Sequence, residues 1–159
     1  MKRFIVFLAL CLIFVGRAFG DDLSLVKNST IQSGACDLTV HLKNGEFKSD
    51  LQRCYISVYD VVFGNLNNKR VAVLVSGEGG GGSGCFSYVR VMEKVGGKYK
   101  QISNNIDLGD RIDYKKAYIK DNILYVDYYE HGPNDCMACK PTLHKMLRVK
   151  LINNKLVKI

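Results

Sequence analysis

Apolar and polar residues alternate along most of this chain, with a period of two. In "CDLTVHLKNGEF", Leu38, Val40 and Leu42 fall on one side, and Asp37, Thr39, His41 and Lys43 fall on the other. That period is the mark of a strand with one buried face. Asn44-Gly45 then supplies the left-handed backbone of a tight hairpin. "CYISVYDVVFG" and "RVAVLVSG" predict two more strands joined by "NLNNK". "CFSYVRVMEKV" and "KYKQIS" flank Gly96-Gly97, "RIDYKKAYIK" and "ILYVDYYE" flank Asp121-Asn122, and "MLRVKLI" and "LVKI" flank Asn153-Asn154. Each flanked pair reads as a hairpin.

The pattern predicts an all-β chain of about eight or nine strands, with a short helix left open only over Ser49–Arg53. Short connections imply antiparallel meanders, and burying one face of them calls for a sandwich or a barrel-like sheet. "VAVLV" is apolar on both faces and belongs in the middle of a sheet. Tyr125, Tyr128 and Tyr129 could line a groove, but alternate ones are expected in the core.

The N-terminus breaks the pattern. Lys2 and Arg3 precede an apolar run of twelve residues, Phe4–Val15, and Ala18 and Gly20 are the small residues of a cleavage site. This is the layout of a secretory signal peptide over residues 1–20, too short to span a bilayer. A lipid-anchor signal ending at Cys11 fits less well, because Leu10 precedes it and the apolar run continues. Residues 21–159 are then one exported β-domain, periplasmic or secreted, with no transmembrane segment. Its charge is +8 − 3 = +5 once Lys2, Arg3 and Arg17 leave. Its cations are scattered rather than striped, which argues against nucleic acid and makes an anionic surface the lesser reading.

Export also governs the sulfur chemistry. Cys36, Cys54, Cys85, Cys136 and Cys139 remain, enough for two bridges and one thiol in an oxidising compartment. The stretch "EHGPNDCMACKPTLH" concentrates the candidate chemistry. His131, Cys136, Cys139 and His144 have the atom types of a tetrahedral zinc site, but not the paired spacing of common zinc fingers. Cys136-Met137-Ala138-Cys139 is a C-x-x-C, yet it lies between strands, and Asp135 beside it would raise the thiol pKa. The third reading is structural. Pro133 and Pro141 stiffen the loop, Gly132 permits a bend, Asp135 caps backbone amides, and one or both cysteines tie the loop to the sheet. His131 is then a packed, hydrogen-bonded side chain. Elsewhere, "SGEGGGGSG" lacks the Gly-Lys-Ser/Thr and the helix of a phosphate loop and reads as a mobile connection. "FGNLNNKRVAV" lacks the carboxylates of a calcium turn and reads as a structural turn.

Several segments carry a resemblance. Val71–Val75, Gly81–Phe86, Leu108–Arg111, Val126–Asp127, His131–Asp135, Cys139 and Pro141–Thr142 resemble, in order and spacing, a group of uncharacterised bacterial exported proteins and lipoproteins with a GGSGxF…LGDR…HGPxDPxCCPT pattern. The group commonly has proline where Cys136 stands and adjacent cysteines before Pro-Thr. This chain has Cys136, Cys139 and an inserted Lys140. The resemblance implies an exported β-domain and no particular reaction. The paired departure at Cys85 and Cys136 implies a bridge between them, with Cys36 joined to Cys139 or to Cys54.

The expected function is therefore that of an exported, non-catalytic β-domain stabilised by disulfides, without a cofactor. It would bind an unknown protein or envelope component. The alternative is a thiol–disulfide or zinc protein built on Cys136 and Cys139.

Overall fold

A computed structural model describes residues 20–159; the expected signal segment up to residue 19, with Cys11, lies outside the described residues. The fold is all-β. Twelve strands follow a helical stretch over residues 20–27, more strands than the eight or nine expected. They are β1 (Thr30–Gln32), β2 (Thr39–His41), β3 (Glu46–Ser49), β4 (Cys54–Leu66), β5 (Lys69–Gly79), β6 (Phe86–Val95), β7 (Lys98–Gln101), β8 (Ile106–Asp110), β9 (Asp113–Lys120), β10 (Ile123–Glu130), β11 (Leu143–Ile152) and β12 (Lys155–Lys158). The excess comes from short strands such as β1, β3 and β8, each too brief to show a period. Ser49–Arg53 ends β3 in a turn and forms no helix.

The strands form two sheets. The first runs β2-β1-β7-β6-β5-β4-β3, with β8 also paired to β6; the second runs β12-β11-β10-β9. All pairings are antiparallel except β1 with β7, which meet in parallel at Thr30 and Lys100. The hairpin turns at Asn67-Asn68, Gly96-Gly97, Asp121-Asn122 and Asn153-Asn154 all have positive φ, as a two-residue turn between right-twisted strands requires.

Asn44-Gly45 also turns with positive φ, but its arms do not extend into a ladder of their own. β2 pairs with β1 and β3 pairs with β4, at opposite edges of the first sheet, and only the bridge between Lys43 and Glu46 joins them. The turn therefore brings the two edges together and curls the sheet into a nearly closed barrel.

Curling gives the first sheet an inner and an outer face, and each buries its own core. Ile31, Val40, Leu42, Ile56, Leu74 and Met92 point inward, with Val26 of the helical stretch packed among them. Val71, Val73, Val75, Val89 and Val91 point outward against Leu124, Val126, Tyr128, Val149 and Leu151 of the second sheet. β5 lies between β4 and β6 and is buried on both faces from Val71 to Glu78, so "VAVLV" is central as its composition predicts.

Candidate functional site

Three regions hold the candidate chemistry, and a buried ion pair organises one of them. Glu78 and Arg90 are wholly buried side chains on β5 and β6, and they are joined by a very short hydrogen bond. The Glu78 carboxylate also accepts from Ser33 Oγ at 2.7 Å, the Gly34 amide at 2.8 Å, the Ala35 amide at 3.3 Å and Ser76 Oγ at 2.9 Å. Burial pushes this carboxyl upward in pKa, but Arg90 and the hydroxyl donors outweigh it and hold Glu78 ionised. Burial pushes Arg90 down, from a starting point so high that it stays charged. Arg90 reaches on to Ser76 Oγ at 3.1 Å and to the Gln32 carbonyl at 3.3 Å; its Nε has no partner. The pair thus holds residues 32–35 against the barrel, and the Cys36–Cys54 bridge fastens the same segment to β4. "SGEGGGGSG" is correspondingly only half loop. Ser76–Gly79 belongs to β5, and the connection is residues 80–85. The expectation of a mobile loop there fails for Glu78 because its charge is neutralised inside the barrel.

Beside this anchor lies an open cleft of about 900 Å³ across the β1–β7 seam. Thr30, Gln32, Thr39, His41, Lys98 and Lys100 line it together with the apolar Leu25, Ile31, Tyr99 and Ile102; Ile31 and Tyr99 also pack in the barrel core. His41 Nδ1 lies 3.1 Å from Thr30 Oγ1, and the Gln32 amide donates to Gln101 Oε1 at 3.0 Å. None of the lining residues is acidic.

The third region is the β10–β11 connection. Asp135 accepts from the Gly132 amide at 2.9 Å, the Thr142 amide at 3.0 Å and the Thr142 hydroxyl, and these bonds hold its carboxyl below the usual range. The expected cap is therefore present, and Pro141 is buried beneath it. Cys136 and Cys139 bridge to each other, and Cys85 is an exposed free thiol. This corrects two expectations. The Cys85–Cys136 pairing is not formed, and neither loop cysteine ties the loop to the sheet. A C-x-x-C turn brings its own two cysteines together; Cys139 N donates to the Cys136 carbonyl at 2.9 Å.

Arg111 does the tying instead. It donates to Met137 O at 3.3 Å and to Ser83 O at 2.6 Å, so one guanidinium joins this loop to the β5–β6 connection. Asp110 beside it accepts from the Cys85 amide at 2.8 Å. No sequence argument singled out Arg111 for this; its place in the "LGDR" segment was the available signal.

The zinc arrangement is not assembled. Both sulfurs are in a disulfide, and His144 Nε2 lies 2.7 Å from Asp127 Oδ1 on the strands. Among the described residues no three His, Cys, Asp or Glu side chains gather as a metal site. His131 is packed as expected, but both ring nitrogens are buried without a hydrogen-bond partner.

Fold and sites together define a disulfide-bonded, two-layer, largely antiparallel β-protein with an open cleft of mixed apolar and polar lining across the β1–β7 seam. Comparisons with family models, with curated proteins and with solved structures give no match to this chain.

Proposed function

We propose that the protein is an exported, non-catalytic β-domain that acts as a binding or envelope-associated accessory module, and that the cleft across the β1–β7 seam takes the ligand. The cleft carries this reading. Its volume is in the range of small-molecule sites, on the order of 300–1,000 Å³. Its walls offer hydroxyls, amides, His41, Lys98 and Lys100 without a carboxylate, beside apolar Leu25, Ile31 and Ile102, which suits a small organic acid with an apolar part. One wall is fixed by the Glu78–Arg90 pair and the Cys36–Cys54 bridge, so little ordering remains to oppose binding. Two disulfides suit an oxidising compartment. The family resemblance agrees with that placement.

The test has two arms. Fractionation of producing cells places the protein; recovery in the cytosol with reduced cysteines contradicts export. A panel of small organic acids, sugar acids and their neutral counterparts is then titrated against the parent and Lys98→Gln/Lys100→Gln. Binding of the acids alone, lost in the variant, is expected; indifference to charge contradicts the cleft assignment.

A second reading keeps one specific observation, the exposed Cys136–Cys139 bridge. A thiol–disulfide role requires a reduction potential near those of known oxidants, roughly −120 to −180 mV; below about −300 mV the bridge is a structural closure.

A further inference from the structure

The second sheet buries one face against the barrel and leaves the other uncovered. Alternation decides which side chains stand there. Leu124, Val126 and Tyr128 go inward; Tyr125, Asp127 and Tyr129 go outward. Register then sets the outward residues in rows across the strands. Tyr118, Tyr125 and Arg148 form one row, and Lys116, Asp127 and Met146 the next. Lys120 faces Ile123 at one end of the sheet, while Lys150 faces Val157 and Ile152 faces Lys155.

The rows are ordered by their own contacts. Tyr118 and Tyr125 stack, with centroids 4.9 Å apart and planes 6° from parallel. Lys116 covers Tyr118 at 5.8 Å, and Arg148 covers Tyr125 at 6.0 Å. The ring faces are thus occupied by each other and by cations. What the stack offers outward is ring edges and phenol groups, the electropositive parts of the rings. Lys120, Lys150 and Lys155 form no ion pair among the described residues. The outward acids are Asp113, held by Lys115 at 2.8 Å, and Asp127, held by His144. Between the cations, Met146, Ile152 and Val157 keep 41%, 47% and 41% of their surface exposed.

We propose that this face docks the protein on an anionic lipid bilayer surface. Charge complementarity selects an anionic occupant, and the apolar side chains select a bilayer over a soluble polyanion. Cations without exposed apolar groups would serve a soluble chain; here apolar side chains stand between the cations, where they can enter the headgroup boundary. Tyrosine rings are at home at that depth. The inference deepens the proposed function by naming the envelope component, and it rests on export. It does not depend on the cleft holding a ligand. No helix among the described residues is long and apolar enough to cross a membrane, so the docking is peripheral as far as helices are concerned.

The test is co-sedimentation of the purified full chain with vesicles of phosphatidylcholine alone and of phosphatidylcholine with phosphatidylglycerol. The readout is the ratio of the two partition coefficients, compared between parent and variants so that the contribution of the N-terminal residues common to all of them, with Lys2, Arg3 and Arg17, cancels. Each basic side chain near an anionic surface contributes roughly fivefold. Lys120→Gln/Lys150→Gln, whose ammonium groups hold nothing in the fold, is expected to lower the ratio about 25-fold. Met146→Gln/Val157→Asn is expected to weaken sedimentation with anionic vesicles several-fold and to leave binding of soluble dextran sulfate unchanged. Equal partition into both vesicles, or an unchanged ratio in the lysine variant, overturns the proposal. So does full vesicle binding by Met146→Gln/Val157→Asn with dextran sulfate competing, which marks a soluble-polyanion site. Failure here leaves export standing, because fractionation reads export separately.

Discussion

Removing half of the Glu78–Arg90 pair is the sharpest perturbation of this fold. Both side chains are wholly buried, so no solvent screening reduces the effect. Glu78→Gln keeps an oxygen for Ser33, Gly34 and Ala35, but it turns an amide NH₂ toward Arg90 and leaves the guanidinium without a counter-charge. Breaking a buried pair in this way costs about 3–5 kcal/mol. Arg90→Met leaves the carboxylate with its hydroxyl and amide donors but without a cation, and belongs in the same range. Glu78→Gln/Arg90→Met removes both charges and keeps the acceptor for residues 33–35. It should cost only about 1–3 kcal/mol, for the polar groups left poorly paired. Urea unfolding reads these values directly. With a slope of roughly 2 kcal/mol per molar, each single variant moves the midpoint down by about 1.5–2.5 M. The reasoning fails if either single variant costs less than about 1 kcal/mol, or if the two costs add in the double variant.

Titration provides a related check. The folded Glu78 carboxyl lies below its ordinary value, so its contribution is complete above about pH 4.3, the unfolded value, and is lost as pH falls through the folded one. Parent stability should therefore hold from pH 8 to 5 and decline below. Arg90→Met removes the cation but keeps the Ser33 and Ser76 donors, so the folded carboxyl moves up from its parent value and the decline at low pH should be smaller than in the parent. Replacing Cys36 and Cys54 by serine opens a closure spanning 18 residues and should cost about 3 kcal/mol, against about 1.5 kcal/mol for Cys136 and Cys139, which are 3 apart; calorimetry of the two variants compares them. Gly34→Ala places a methyl carbon 2.4 Å from the buried Tyr88 ring and should destabilise by about 1–3 kcal/mol in the same assay. A neutral result there means that Tyr88 can move aside.

The sequence disclosed the strands wherever alternation lasted or a two-residue turn punctuated it. The Asn67-Asn68, Asp121-Asn122 and Asn153-Asn154 turns need φ above zero, and asparagine and aspartate tolerate it locally. β1 and β3 were hidden because three or four residues carry no period. The barrel closure was hidden because Asn44-Gly45 has the chemistry of a hairpin whether or not its arms pair, and only long-range pairing decides that. Glu78 was missed for a similar reason. A glutamate among glycines reads as a loop residue until an arginine on the neighbouring strand, opposite Leu74 four residues away, reaches along the barrel and neutralises its charge. Arg111 was missed because its acceptors are carbonyls, which any residue carries. The β10–β11 loop was better marked, since Asp135 and Thr142 have the side chains that cap a turn, whereas no spacing argument fixes which sulfurs meet.

That pairing also offers the most direct measurement. Iodoacetamide is added to intact cells, the protein is recovered without reduction, and its peptides are mapped by mass. The expected result is a Cys36–Cys54 peptide, an internally bridged peptide holding Cys136 and Cys139, and a single alkylated residue, Cys85. Alkylated Cys136 and Cys139, or a peptide joining Cys85 to either of them, would contradict a loop closed on itself and held to the barrel by Arg111.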